Sequence, residues 1–161
     1  MPFTRSADSP HHFLAQLAGG WAGITHTWPE PEGVPNESKT QGSIQLVLDG
    51  RFALYLYQSS GNEETQLGMF TLGYNTTLDR CEASWLDSFH NNTAIMFCTG
   101  QLNEEVFSVL GSYPDPSGGP DWGWRTEVKL IDHDHLAITA YNISPEGQEA
   151  KAIETQLRRV K

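Results

Sequence analysis

Cysteine is scarce in this chain: Cys81 and Cys98 are the only two in 161 residues. Two thiols cannot frame a disulfide scaffold or close a four-ligand zinc site. They are expected to be reduced and half-buried. A two-residue turn at Phe89-His90 would set them opposite each other, and a one-residue shift would not. Basic residues are also few, 10 Lys plus Arg against 20 Asp plus Glu, for a net charge of −10. Such a chain repels phosphate backbones and anionic lipid, so neither nucleic acid nor membrane is expected as a partner. No apolar run approaches the about 18 residues that a membrane helix needs. The opening MPFTRSADSPHH has one Arg and no apolar block, unlike a secretory leader, so a cytoplasmic location is expected.

Helix signals are nearly absent as well. One exists, in SPHHFLAQLAGG: Ser9 suits an N-cap, Pro10 the first helical position, and Phe13, Leu14 and Leu17 one apolar side. Gly19 or Gly20 would end that helix, expected over about residues 10–18 with His11 and His12 on its exposed side. From Trp21 to about residue 159 the chain reads as alternating strands divided by turns. WAGITHTW places Trp21, Gly23, Thr25 and Thr27 on one face. SIQLVLDGRFALYLYQ is a hairpin around Asp49-Gly50, which suits a primed turn. RCEASWLDS and NTAIMFCTG form another, and GWRTEVKLID and HLAITAYNI a third. The Pro-rich stretches at 29–36 and 114–122 are loops, suited to gate a mouth if they lie at one end. About nine or ten regularly spaced strands joined by hairpins predict a single all-β domain over 1–161: an antiparallel up-and-down barrel with a short N-terminal helix.

The segments HHFLAQLAGGWAG, TLGYNTTLDRCEASWLDS, GQL at 100–102, WRTEVKLIDHDHLAITAY and the terminal QLRRVK carry a family resemblance. The first resembles the helix and Gly-x-Trp opening strand of lipocalin-like (calycin) barrels. Together, over about His12 to Lys161, they resemble the bacterial family DUF1579, a domain of unknown function. The resemblance implies a lipocalin-like barrel and no particular activity. Asp87 stands where a small residue would be expected from the family pattern.

Three polar patterns compete as sites. SWLDSFHN, at 84–91, contains Ser, His and Asp, yet Asp87 and Ser88 are strand neighbours that point to opposite faces, and no G-x-S-x-G elbow occurs. Side chains that bond to turn amides explain the same residues. Asp132-His133-Asp134-His135 has His at i and i+2, a usable metal geometry, but also the composition of a hairpin turn. His26, His90, His133 and His135 are the histidines open to a haem, and none sits in a discriminating motif. No metal and no cofactor is therefore expected. The aromatic content favours a cavity instead, since a barrel of this size can enclose one small molecule. Trp21, Tyr74 and Trp85 are expected as walls, Arg125 and Tyr141 as polar anchors, and Asp87 as a further ligand contact. Arg125 shares a strand face with Glu127 and Lys129, opposite Thr126, Val128 and Leu130, so its inward placement requires that face to point in. The expected function is non-covalent binding of a small, partly apolar ligand. An enzyme using Asp87, His90 or His133 and a packed interaction module are the alternatives. An outer strip of Phe52, Leu54 and Leu56 is a possible homodimer face.

Overall fold

A computed structural model describes residues 6–61 and 64–161. The N-terminal stretch read above as lacking a leader lies partly outside the described residues. Among those residues, α1 (Pro10–Gln16) precedes β1 (Gly19–Thr27), β2 (Asn36–Val47), β3 (Phe52–Ser60), β4 (Thr65–Asn75) and β5 (Arg80–Asp87). Then follow β6 (Met96–Asn103), β7 (Val106–Tyr113), β8 (Trp122–Asp132), β9 (His135–Ile143) and β10 (Glu149–Arg159). Each strand pairs antiparallel with the next, and β1 closes the ring on β10 with Trp21 opposite Arg159 and Thr27 opposite Ile153. The fold is a closed, all-β up-and-down barrel. Closure leaves no edge strand among the described residues.

Odd-numbered strands run from the α1 end to the opposite end, which is the mouth. The loops at 28–35 and 114–121 therefore both lie at the mouth. The floor half is packed. Phe13, Leu14 and Leu17 beside α1 meet Trp21, Leu72, Cys81, Ala83, Phe107, Val109, Leu136 and Leu157, all buried. Trp21 is fully buried, and its Nε1 donates to Leu17 O at 2.8 Å. The Arg159 guanidinium stacks on the Trp21 ring at 4.4 Å and donates to Ala18 O, Gln16 O and His133 O. The bonds to Gln16 O and Ala18 O take up carbonyls that the helix end leaves without partners, and the bond to His133 O ties in the β8–β9 turn.

The helix is shorter than expected, 10–16, because Gly19 at φ 140 already turns the chain into β1. Ser9 occupies the N-cap position without a cap bond; its Oγ donates to Ser6 O instead. The β2–β3 turn enters the left-handed region one residue before Asp49-Gly50, at Leu48. The loop after β5 spans 88–95 and is no two-residue turn, so Cys81 faces Gly100 and Cys98 faces Ala83. The thiols are diagonal neighbours, both buried and unbonded to each other. Burial pushes Cys81 up to about 12 and Cys98 up to about 11, so both stay protonated.

His11 is buried, not exposed, because its ring meets Tyr74 edge-on at 6.3 Å. Burial, then the nearby Arg51 charge, hold its pKa below the usual value. The folded state thus binds fewer protons than the unfolded one around the unfolded pKa of about 6.5. His11's contribution is complete above that pH and falls as pH drops through it. Thermal melts from pH 7.5 to 5 should therefore show a smaller acid-side fall in Tm for His11→Gln than for the parent. An identical fall would remove His11 from the acid response.

Candidate functional site

The mouth half of the barrel is not packed solid. A cavity of about 50 Å3 lies there, lined by inward residues of β1–β5 and β8–β10 and by His90 of the following loop. That space holds about four waters.

One wall is a run of stacked rings. Tyr55 stacks on Tyr57 (4.8 Å between centroids), Phe70 on Trp85 (5.6 Å) and Trp85 on Trp124 (5.3 Å). Trp85 and Trp124 come from β5 and β8, which are not sheet neighbours, so their contact crosses the interior. The opposite wall is hydroxyl-rich. Thr155, Thr25, Thr40 and Ser59, from β10, β1, β2 and β3, form a chain of bonds at 2.8, 2.5 and 2.7 Å. Gly68 makes room for the Tyr57 ring: a Cβ there would sit 2.0 Å from Tyr57 Cζ. Trp85 Nε1 donates to Tyr57 Oη at 3.0 Å. Burial raises the Tyr57 pKa, the Trp85 bond lowers it less, and the Asp87 charge raises it further, so the phenol stays neutral.

At the mouth, Asp87 organises the loop. Its Oδ2 accepts from His90 N (2.8 Å) and contacts His90 Nδ1 (2.9 Å), while Oδ1 accepts from Asn91 N (2.6 Å). Burial pushes the Asp87 carboxyl up, but the bonds from the His90 ring, Asn91 N and His90 N outweigh it and leave the pKa below the usual range. An ionised carboxylate accepts only, so the proton of a neutral His90 sits on Nδ1. The His90 ring rests against Trp85 and Trp124, at 5.5 and 5.7 Å.

Two polar atoms in this lining have no partner. Trp124 Nε1 and Thr126 Oγ1 are buried without a hydrogen bond, on residues only 6% and 2% exposed. Buried polar groups are nearly always satisfied, so an orphan pair beside a cavity needs an explanation.

A family model described as a protein of unknown function, DUF1579, matches residues 6–159. The chain belongs to DUF1579. Its barrel has a lipocalin-like fold. Among solved structures, Rv2717c from M. tuberculosis has 15% identity over 95% of this chain and 99% of its own, with a TM-score of 0.62. The S-type phycobiliprotein lyase CPES from Guillardia theta has 12% identity over 95% and 93%, with a TM-score of 0.61. At these identities the likeness shows the fold. No curated protein matches the sequence.

Of the six residues that the sequence put forward in this DUF1579 chain, Trp85 and Asp87 line the cavity. The other four are placed elsewhere. Trp21 plugs the floor. Tyr74 sits at the floor end, its hydroxyl bonded to Asp79. Arg125 and Tyr141 face each other on the outer surface, the guanidinium 4.5 Å over the Tyr141 ring and bonded to Glu149. The reason is strand parity: Trp124, Thr126 and Val128 take the inside of β8. Ser88 Oγ accepts from Leu67 N at 2.9 Å, which commits it to β4. His133 is exposed and bonded to Asp134, and His135 Nε2 meets Gln156 Oε1. The lining residues Tyr57, Phe70, Trp124 and Thr126 were not singled out as ligand contacts, although alternation along β8 carries the signal for the last two.

Two variants test this geometry in the ligand-free protein. Thr126→Val removes an unpartnered hydroxyl at nearly constant shape and should raise stability by about 1 kcal/mol, read as a higher urea midpoint at unchanged slope. Gly68→Ala drives a methyl into the Tyr57 ring and should cost about 2 kcal/mol. A Thr126→Val protein that unfolds earlier would mean that the hydroxyl has a partner.

Proposed function

We propose that the mouth-end cavity binds a small, partly apolar molecule without covalent chemistry. The observation that carries this reading is the orphan pair, Trp124 Nε1 and Thr126 Oγ1, on two residues that line a cavity walled by stacked rings. Each buried unpaired group costs about 1–3 kcal/mol, and a ligand that pairs with it recovers that cost on binding. The rings supply flat apolar area worth about 25 cal/mol per Å2 before ordering costs. A cavity of this size takes a compact ligand, or part of a larger one that extends through the mouth.

A second reading is general-base catalysis. The Asp87–His90 pair favours it, because a carboxylate that fixes the tautomer of an imidazole beside a cavity is the arrangement a base needs. Ser88 is not among the residues that line the cavity, and its Oγ accepts from Leu67 N, so this reading takes no serine nucleophile from it.

No helix among the described residues is long and apolar enough to cross a membrane. The proposal keeps a cytoplasmic setting and, through exposed Phe52 and Leu56 on β3, room for self-association.

The test is mass spectrometry of the purified protein, native and then denatured, with an absorbance scan of the same sample. A stoichiometric small molecule released on denaturation is the expected result. When the released compound is titrated back, Thr126→Val should bind it about tenfold more weakly while being the more stable protein without it. Opposite signs on affinity and stability distinguish a ligand contact from a structural one. A variant that binds as well as the parent would count against the reading.

A further inference from the structure

The cavity lining has a polarity that narrows the ligand class, on the reading that the cavity binds a ligand at all. Among the described lining residues there is no Lys or Arg. The one charged group that is always anionic at neutral pH, Asp87, has a side chain only 5% exposed and is occupied by the His90 and Asn91 bonds. An anion would enter without a counter-charge and beside a carboxylate, which is unfavourable in a partly desolvated site. Arg125, the nearest thing to an anion anchor in the sequence, points outward and is bonded to Glu149.

The unpaired polar atoms are of two kinds, on residues two apart along the inner side of β8. Trp124 Nε1–H is donor-only, and Thr126 Oγ1–H donates or accepts. His90 lines the same cavity with its Nδ1 edge turned to Asp87, so Nε2 offers a lone pair on the other edge. No hydrogen bond to Nε2 occurs among the described residues. The imidazole and the Trp124 indole pack together, at 5.7 Å between centroids, and both residues line the cavity. The stack of Phe70, Trp85 and Trp124, with interplanar angles of 6° and 18°, gives that space a flat side.

We propose that the cavity selects neutral, planar ring compounds with an N–H or O–H beside a carbonyl, of the lactam or ring-amide kind. The ligand's donor bonds to His90 Nε2, its carbonyl accepts from Trp124 Nε1–H or Thr126 Oγ1–H, and its face lies on the aromatic wall. Asp87 acts as a positioning residue by holding the His90 tautomer that presents a lone pair.

The experiment uses defined probes: 2-pyridone, N-methyl-2-pyridone, toluene and benzoate, each titrated by calorimetry into the full chain and into His90→Phe. The parent should bind 2-pyridone about tenfold tighter than its N-methyl derivative, the span of one good hydrogen bond, and should bind benzoate most weakly. In His90→Phe the ratio between the two pyridones should fall to about one. If His90→Phe loses its near-UV circular dichroism, His90→Leu replaces it. Equal affinity for the pyridones in the parent, a preference that survives without His90, or tighter binding of benzoate would each overturn the class assignment. Toluene binding without either pyridone would also overturn it and would leave the cavity reading in place. If no probe binds the parent at millimolar concentration, the cavity reading falls with it.

Discussion

Trp21 is the piece on which the rest of the barrel is seated. A closed sheet of ten strands encloses more space than its inward side chains fill at both ends, and one end has to be stopped. Trp21 stops it, fully buried, with its indole N–H on the chain leaving α1 and its ring face under Arg159. Arg159 belongs to the strand that closes the barrel, and its remaining donors reach the helix end and the β8–β9 turn. Helix, first strand and last strand therefore share one buried junction. Because the floor is packed, the unfilled volume collects at the mouth.

What collects there has two chemistries on facing walls. The aromatic side is rigid: each ring is stacked, and Gly68 provides the clearance that lets Tyr57 lie flat. The hydroxyl side is polar but internally bonded, so it tolerates burial. Trp124 belongs to the aromatic stack through its ring face and Thr126 stands outside the hydroxyl chain, and the polar atoms of both are left without a partner. Among the described residues the remaining buried polar side chains are satisfied, so two orphans on residues that line one cavity carry more weight than two scattered ones.

The architecture was legible because its cause is local. Alternation along β1 put Trp21, Gly23, Thr25 and Thr27 on one face, and turn residues separated the strands. The site was less legible because its cause is not local. Both faces of several strands carry apolar residues, so parity alone did not say whether Arg125 or Thr126 looks inward. Arg125 offered an attractive anion anchor, yet its partners, Tyr141 and Glu149, are outer residues of β9 and β10. The contact of Trp85 with Trp124 depends on barrel curvature, which brings non-neighbouring strands together across the interior. His90 depends on a loop of eight residues folding back through Asp87, where a tight turn was the simpler expectation.

The four-hydroxyl chain has a consequence of its own. Each hydroxyl carries one proton and can accept as well as donate, so the chain from Thr155 through Thr25 and Thr40 to Ser59 can run in either sense. Reversal needs only torsions about C–O bonds, and the bonds favour a concerted flip over a broken sequence. One sense leaves a free proton at the Ser59 end, and the other leaves it at the Thr155 end. The wall is thus a reversible dipole, whose direction an occupant can set without displacing a single heavy atom.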